Sequence, residues 1–334
     1  LEGVRVVLAV VLCWSAASGW AAPPPCAAPR DCAGASTSGW CVETLLPADI
    51  GHHPRFNAIW SDAPDDVWAV GARAGAQPDE NEGVAFHWDG CGWTESPLPT
   101  HAGLNDVWGA GPRDVWTVGA TGVALHWTGA GWSPAHTGAS ATLNRVSGSG
   151  GKDVWAIGRA GLYHWNGRAW SPDHRLAVDA RNEFLGDIWA VSPGDVWLAE
   201  GFNARGSVAH FDGSAWTIAQ PSPEVAFGLF GVWSNGSVTC AVGEGDQVLR
   251  RAGGTWTQIK PPGGSAQGLV NAMGAAGDLY ASGQTVAHVT AGGDVQAVAG
   301  LPAGSYPGLW VNGTQIWVAG SSNAGGAVIA HRAR

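Results

Sequence analysis

Lysine is almost missing from this 334-residue sequence, which has only Lys152 and Lys260. Arginine does not make up the deficit. Lys and Arg together number 17 against 27 acidic residues, a formal net charge of −10. No run of basic residues occurs anywhere in the chain. Affinity for nucleic acid rests on neutralising phosphates, so the sequence argues against a nucleic-acid partner. Long apolar runs are missing too. The longest, Val6 to Trp14, is too short for a transmembrane helix. No Gly-x-Ser-x-Gly elbow, His-Glu-x-x-His helix or phosphate loop is present, and no Cys-x-x-Cys pair supports a zinc site. Sialidase-like chemistry needs a Tyr/Glu pair, yet there are only three tyrosines. Tyr163 and Tyr280 fall on repeated strands, which leaves Tyr306 near a loop. No cofactor or metal is expected.

The first residues have the features of an export signal. Arg5 marks a short basic region, Val6 to Trp14 the apolar region, and small residues follow, with cleavage expected after Ala17 or Ala21. Residues 1–21 are therefore expected to be a signal peptide, residues 22–35 a Cys/Pro-containing linker and residues 36–334 the folded domain. Leu12 before Cys13 and Pro25 before Cys26 do not make a convincing lipid-attachment box. Export to the periplasm, cell surface or medium permits disulfides. Loss of Cys13 with the signal would leave Cys26, Cys32, Cys41, Cys91 and Cys240. Cys26 and Cys32 could pair locally, and Cys41 with Cys91 across two neighbouring blades. Cys240 fills a repeat position usually held by Trp and is expected to be a small buried hydrophobe.

What the chain has in abundance is Trp (21), Gly (51) and Pro (20), with hydrophobic residues at 45%. That composition suits a large core and many short strands joined by turns. The excess of Trp comes from a repeat. In Leu104 to Gly119, a strand ending in Val107-Trp108 is followed by a Gly/Pro turn and a second strand, Asp114-Val115-Trp116-Thr117-Val118. A third strand ends in His126-Trp127, and a fourth begins at Trp132. Asp66, Asp114, Asp153 and Asp195 open equivalent second strands, and weaker copies begin at Val238, Asp278 and Gln315. The spacing of about 40 residues is that of four-stranded propeller blades. The seventh copy ends at Arg334 without a fourth strand, but Ser38 to Glu43 matches Ser214 to Ala219 in register. The fold predicted is an all-β, seven-bladed propeller of four-stranded antiparallel blades, the last closed by the N-terminal strand. Closure removes the exposed sheet edge.

The stretch from Leu104 to Trp132 resembles a repeat of exported bacterial β-propeller proteins with Trp-rich Val-Trp-Ala-Val-Gly-type units. It is more distantly similar to tectonin-type lectins. His210 to Trp216 is similar to the Asp-box of sialidase-like propellers, but lacks one residue between Asp and Gly. The resemblance spans about residues 36–334 and implies a fold, because propellers host unrelated activities.

His87, His126, His164, His210, His288 and His331 recur at one third-strand position. Such residues lie in different blades, so a structural bond to the repeated Asp is expected rather than a metal ring. The repeated Trp residues are expected to pack between blades. Turns joining strands one to two and three to four are short and alike, and alternation puts both on one face. The other face receives loops of varied length, among them the one from Ala72 to Gly83 carrying Asp79, Glu80 and Glu82, Gly201 to Gly206 with Arg205, and Ser171 to Glu183 with His174, Arg175, Asp179, Arg181 and Glu183. Function in repeat scaffolds concentrates on such a face. Near the axis there, Asn57, Asn105 and Asn144 hold equivalent positions, as do His53 and His101, and Asp106, Arg145 and Asp187 lie one residue further in. Amides, imidazoles and charges converging at a funnel mouth suit a polar ligand such as a glycan.

The sequence thus points to a non-catalytic, lectin-like binding module, acting as a monomer on a glycan or a protein partner. The alternative is a polysaccharide-active enzyme, a glycosidase or lyase using carboxylates such as Asp79, Glu80, Glu82 and Glu183.

Overall fold

The computed structural model describes residues 39–43, 54–74, 81–159, 161–176, 185–201, 206–219, 228–245, 247–259, 268–275 and 278–334. The expected signal peptide and the whole expected linker lie outside them, as do Cys26 and Cys32. No helix among the described residues is long and apolar enough to cross a membrane.

The strands form seven antiparallel sheets of four. Blade one is Arg55–Ala63, Asp66–Ala74, Asn81–Trp88 and Trp93–Glu95, and blade two is Leu104–Gly111, Asp114–Gly119, Ala124–Trp127 and Trp132–Pro134. Blades three to six begin with Leu143–Gly150, Leu185–Ser192, Leu229–Ser234 and Asn271–Ala275. Blade seven takes Gly304–Val311, Gln315–Ser322 and Ala327–Ala333 from the end of the chain and Cys41–Glu43 from its beginning. Cys41 pairs with His331, Val42 with Ala330 and Glu43 with Ile329, so the N-terminal strand closes the ring as expected.

Blades one to four are each locked by one polar unit. His87 Nε2 lies 2.6 Å from Asp66 Oδ1, and the equivalent distances are 2.7 Å for His126–Asp114, 2.7 Å for His164–Asp153 and 2.9 Å for His210–Asp195. The imidazole also lies flat on the second-strand aromatic ring, with centroids 3.8 Å apart for Trp116–His126 and 4.0 Å for Trp155–His164. The indole Nε1–H of Trp155 donates to the same Asp153 carboxylate. Burial pushes the Asp153 carboxyl up, but the hydrogen bonds from His164, Ser149 and Trp155 outweigh it and hold the group below its ordinary value. Where blade seven has Gln315 in place of Asp, the amide oxygen accepts from Trp317 instead, and burial lowers the His331 pKa.

The same Trp joins one blade to the next. Trp68 of blade one meets Trp127 and Trp132 of blade two at 4.9 and 5.1 Å, and Trp116 meets Trp165 and Trp170 of blade three at 5.2 and 5.5 Å. Trp317 of blade seven closes the circle against Trp93 of blade one. These repeated Trp residues are therefore inter-blade packing.

Glycine at two repeat positions answers to close approach. A Cβ on Gly109 would stand 2.6 Å from the Trp60 ring of the preceding blade, and one on Gly119 would stand 2.2 Å from the Gly103 carbonyl oxygen. Blade four alone departs at the second position, with the buried Glu200 there, its carboxylate accepting from the Ser207 hydroxyl at 2.6 Å. At the other end of the blades, side-chain oxygens cap the tight turns. Asp212 Oδ1 accepts from the backbone N–H groups of Ser214 and Ala215 and from the Ser214 hydroxyl. Those bonds, the one from Ala215 foremost, draw its pKa down to about 2.

Cys240 is a buried free thiol whose pKa burial pushes up to about 12, as suits a small hydrophobe. Cys41 and Cys91 are disulfide-bonded. Tyr306, expected near a loop, instead lies inside the first strand of blade seven, buried, with its hydroxyl donating to the Pro302 carbonyl.

Candidate functional site

The face that carries the variable loops holds a cavity of about 890 Å³ over blades seven, one and two. Asn57 and Asn105 both line it. Each sits at a β-bulge near the start of its innermost strand. Pairing steps from Phe56–Gly71 to Ala58–Val70 in blade one, and from Leu104–Gly119 to Asp106–Val118 in blade two. The unpaired residue is thereby re-aimed out of the ladder. Asn57 Nδ2 donates to the Leu104 carbonyl at 2.7 Å, and Asn105 Nδ2 to the Leu143 carbonyl at 2.8 Å. The amide nitrogens thus staple neighbouring blades, while no donor among the described residues meets the amide oxygens.

Asn144 occupies the bulge of blade three but borders neither this cavity nor the channel below it. Asn271 of blade six makes the same kind of staple, to the Pro307 carbonyl at 3.2 Å. The sequence reading missed it because blade six copies the repeat weakly. His101 is exposed beside the cavity, its Nδ1 3.9 Å from Glu82. His53, Asp79, Glu80, Asp179, Arg181, Glu183 and Arg205 lie outside the described residues. The described cavity wall adds Arg55, Arg73, Asn81, Thr121 and Ser321. No repeat pattern marks these positions, since they come from loops and strand ends of three blades. Arg73 is committed: Glu82 lies 3.1 Å away and Glu95 3.0 Å. Those bonds draw the Glu82 carboxyl below its ordinary value.

Asp106, Arg145 and Asp187 form a second group, deeper in the channel. They line a cavity of about 40 Å³ on the axis with Asn271 and the rings of Trp108, Trp189 and Trp310. Arg145 Nε stands 3.5 Å from Asp187 Oδ1. Each carboxylate also reaches the backbone of the following blade. Asp106 Oδ2 accepts from Val146 N–H at 2.8 Å and Asp187 Oδ2 from Val232 N–H at 2.9 Å. Burial nonetheless raises Asp106 to about 6 and Asp187 to about 7, against the opposing pull of Arg145. One guanidinium serves two desolvated acids, so ionising both is costly.

The sign of the pH dependence follows. A carboxyl raised by folding favours the folded state while protonated, and that advantage is lost as pH climbs from about 4 through about 7. Asp187→Asn is expected to flatten the fall in thermal midpoint over that window, relative to the native protein. The shift from 3.8 to about 7 corresponds to about 4 kcal/mol at full ionisation. Thermal melts of both proteins at stepped pH would check this. Parallel curves would show that Asp187 does not titrate in the window.

Comparison with known proteins adds the fold's distribution. No family model matches the sequence, and no curated protein does either. Solved structures do. Catalytically inactive virginiamycin B lyase from Staphylococcus aureus, crystallised with quinupristin, superposes with a TM-score of 0.69 at 16% identity, over 88% of this chain and 99% of that one. YCF48 bound to D1 peptide gives 0.64 at 13% identity, over 89% and 97%. The extracellular domain of a putative hybrid two-component system, BT4673 of B. thetaiotaomicron, gives 0.63 at 11%, over 86% of this chain and 39% of that one. At these identities the likeness shows the β-propeller fold alone. The three, a lyase, a protein bound to a peptide and the extracellular domain of a two-component system, are differently described.

Proposed function

We propose that this chain is a non-catalytic binding module of an exported propeller protein, and that it takes a glycan on its variable-loop face. The observation that carries the reading is the cavity of about 890 Å³ over blades seven, one and two, walled by amides, hydroxyls and guanidinium groups. Its size lies in the range of small-ligand sites, and its groups are those that hydrogen-bond a polar molecule. Glu82, next to the lining residue Asn81, is paired with Arg73. The bound partners in two of the superposing structures, quinupristin and D1 peptide, agree with ligand capture as a common use of such scaffolds.

The test should leave the staples of Asn57 and Asn105 intact, because removing them costs inter-blade bonds as well as ligand contacts. Asn81 lines the cavity from an exposed strand start. Asn81→Trp is expected to abolish binding of whatever saccharide a glycan array identifies, with the melting midpoint of the native protein retained. Calorimetry with the array ligand is the readout. Undiminished affinity in the folded variant would reject this placement.

A further inference from the structure

The cavity over blades seven, one and two does not end at its rim. A second cleft, about 410 Å³, runs outward over blade two and shares one residue with it, Thr121. The second cleft is walled by the segments around Thr100, Thr121 and His136. A ligand that filled only the axial cavity would leave this trough unused. A chain of linked units would occupy both.

Thr121 stands at the junction and is itself unusual. It sits in a single 3-10 turn, Ala120–Gly122, at φ 55 and ψ 25. It is the one non-glycine residue at positive φ among the described residues. For an L-residue the left-handed region costs about 1–2 kcal/mol. Its hydroxyl donates to the Ala120 carbonyl at 2.7 Å, which fixes the side chain between the two spaces. Strain held at an exposed position between two cavities is a feature of binding sites.

Charge narrows the ligand further. Two guanidinium groups line the axial cavity. Arg73 is neutralised by Glu82 and Glu95, whereas Arg55 is exposed and makes no ion pair with any described residue. A guanidinium that no described acid pairs, inside an amide-lined cavity, can hold a carboxylate by two parallel hydrogen bonds. The walls also lack what other ligands need. Among the described residues no Trp, Tyr or Phe lines either cavity, so none of them offers a ring to the apolar face of a neutral sugar. The apolar groups of the axial cavity are Pro54 and alanines, too small to make pockets for peptide side chains.

Resting on the binding reading above, we infer that the ligand is a linear acidic oligosaccharide, with one uronate carboxylate on Arg55 and the chain passing Thr121 into the second cleft. The probes are tetragalacturonate, digalacturonate, neutral maltotetraose and a tetraglutamate peptide, each titrated into the purified full chain by calorimetry. Tetragalacturonate is expected to bind more tightly than maltotetraose by roughly ten- to a hundred-fold, the size of a charge-assisted bidentate contact. Arg55→Gln should erase that preference, and Arg55→Lys should restore part of it. The tetramer should also exceed the dimer, and His136→Trp, which fills the outer cleft, should remove that advantage while sparing the dimer.

Equal affinity for the acidic and neutral tetramers, or an unchanged preference in folded Arg55→Gln, overturns the acidic assignment. If Asn81→Trp still abolishes binding in that case, the binding reading itself survives. A tetramer no tighter than the dimer overturns the two-cleft path. Binding of tetraglutamate alone would assign the face to acidic peptides and overturn the saccharide. Failure of every probe, with a ligand later found on the tight-turn face, overturns both readings.

Discussion

Removal of the chain through Glu43 is expected to give a protein that aggregates on expression or melts far below the native midpoint. Blade seven would lose its outer strand, and Ala327–Ala333 would present an open edge of unpaired N–H and C=O groups. The same deletion removes Trp40, which has no exposed surface and belongs to the hydrophobic cluster that holds Tyr280 of blade six and Ile316 and Val328 of blade seven. Losing a buried Trp costs roughly 3–5 kcal/mol by itself, against a total stability of about 5–15 kcal/mol for a typical domain. Full-length Trp40→Ala separates the two effects. It should lower the midpoint yet remain soluble, because the edge stays covered. A soluble deletion protein with the native midpoint would show that the N-terminal strand does not close the ring in solution.

Trp155→Ala should be the most damaging single substitution in the repeat. Its indole is fully buried, stacks on His164 and meets Phe211 and Trp216 of the next blade at 5.6 and 5.9 Å. Truncation leaves a cavity between blades three and four and strips Asp153 of one of its donors. The expected cost is roughly 3–5 kcal/mol, a drop of roughly 6–20 °C in a domain of this size. His164→Ala should cost less, because the stacked ring is smaller and the pair is partly exposed. Chemical denaturation of both variants measures the difference. If His164→Ala proved the more costly, the hydrogen-bonded pair rather than the Trp box would be what joins these blades.

Most of the architecture was legible because it is written in a repeat. Asp114-Val115-Trp116 and its copies fix the second strand, the recurring His-Trp fixes the third, and their spacing fixes the blade. The pairing of His126 with Asp114 could be inferred because the two positions recur together. That inference needs no distance. The closing strand could be found because Trp40 and Trp216 hold the same place in the repeat. Positions outside the repeat carried no such signal. Tyr306 stands in the irregular start of the first strand of blade seven, where the register shifts between Ser305 and Gly308.

The candidate site divides along the same line. Asn57 and Asn105 were recognised as equivalent, but their bulges and the use of their amide nitrogens as inter-blade staples depend on how one blade sits on the next. Asp106, Arg145 and Asp187 were grouped with them, yet the fold sends these three down the axis to one another. Arg55, Asn81, Thr121 and Ser321 come from blades one, two and seven and meet only when the ring closes. What the sequence by itself determined was each blade, since strand period, turn chemistry and the Asp–Trp–His unit are set by residues within about 40 positions of one another. The cavity, the partnering of its charges and the junction at Thr121 were decided by the tertiary structure. Arg55 and Ser321 of the cavity wall are hundreds of positions apart and are brought together by closure of the ring, whereas Arg73 meets Glu82 and Glu95 through strand pairing within blade one.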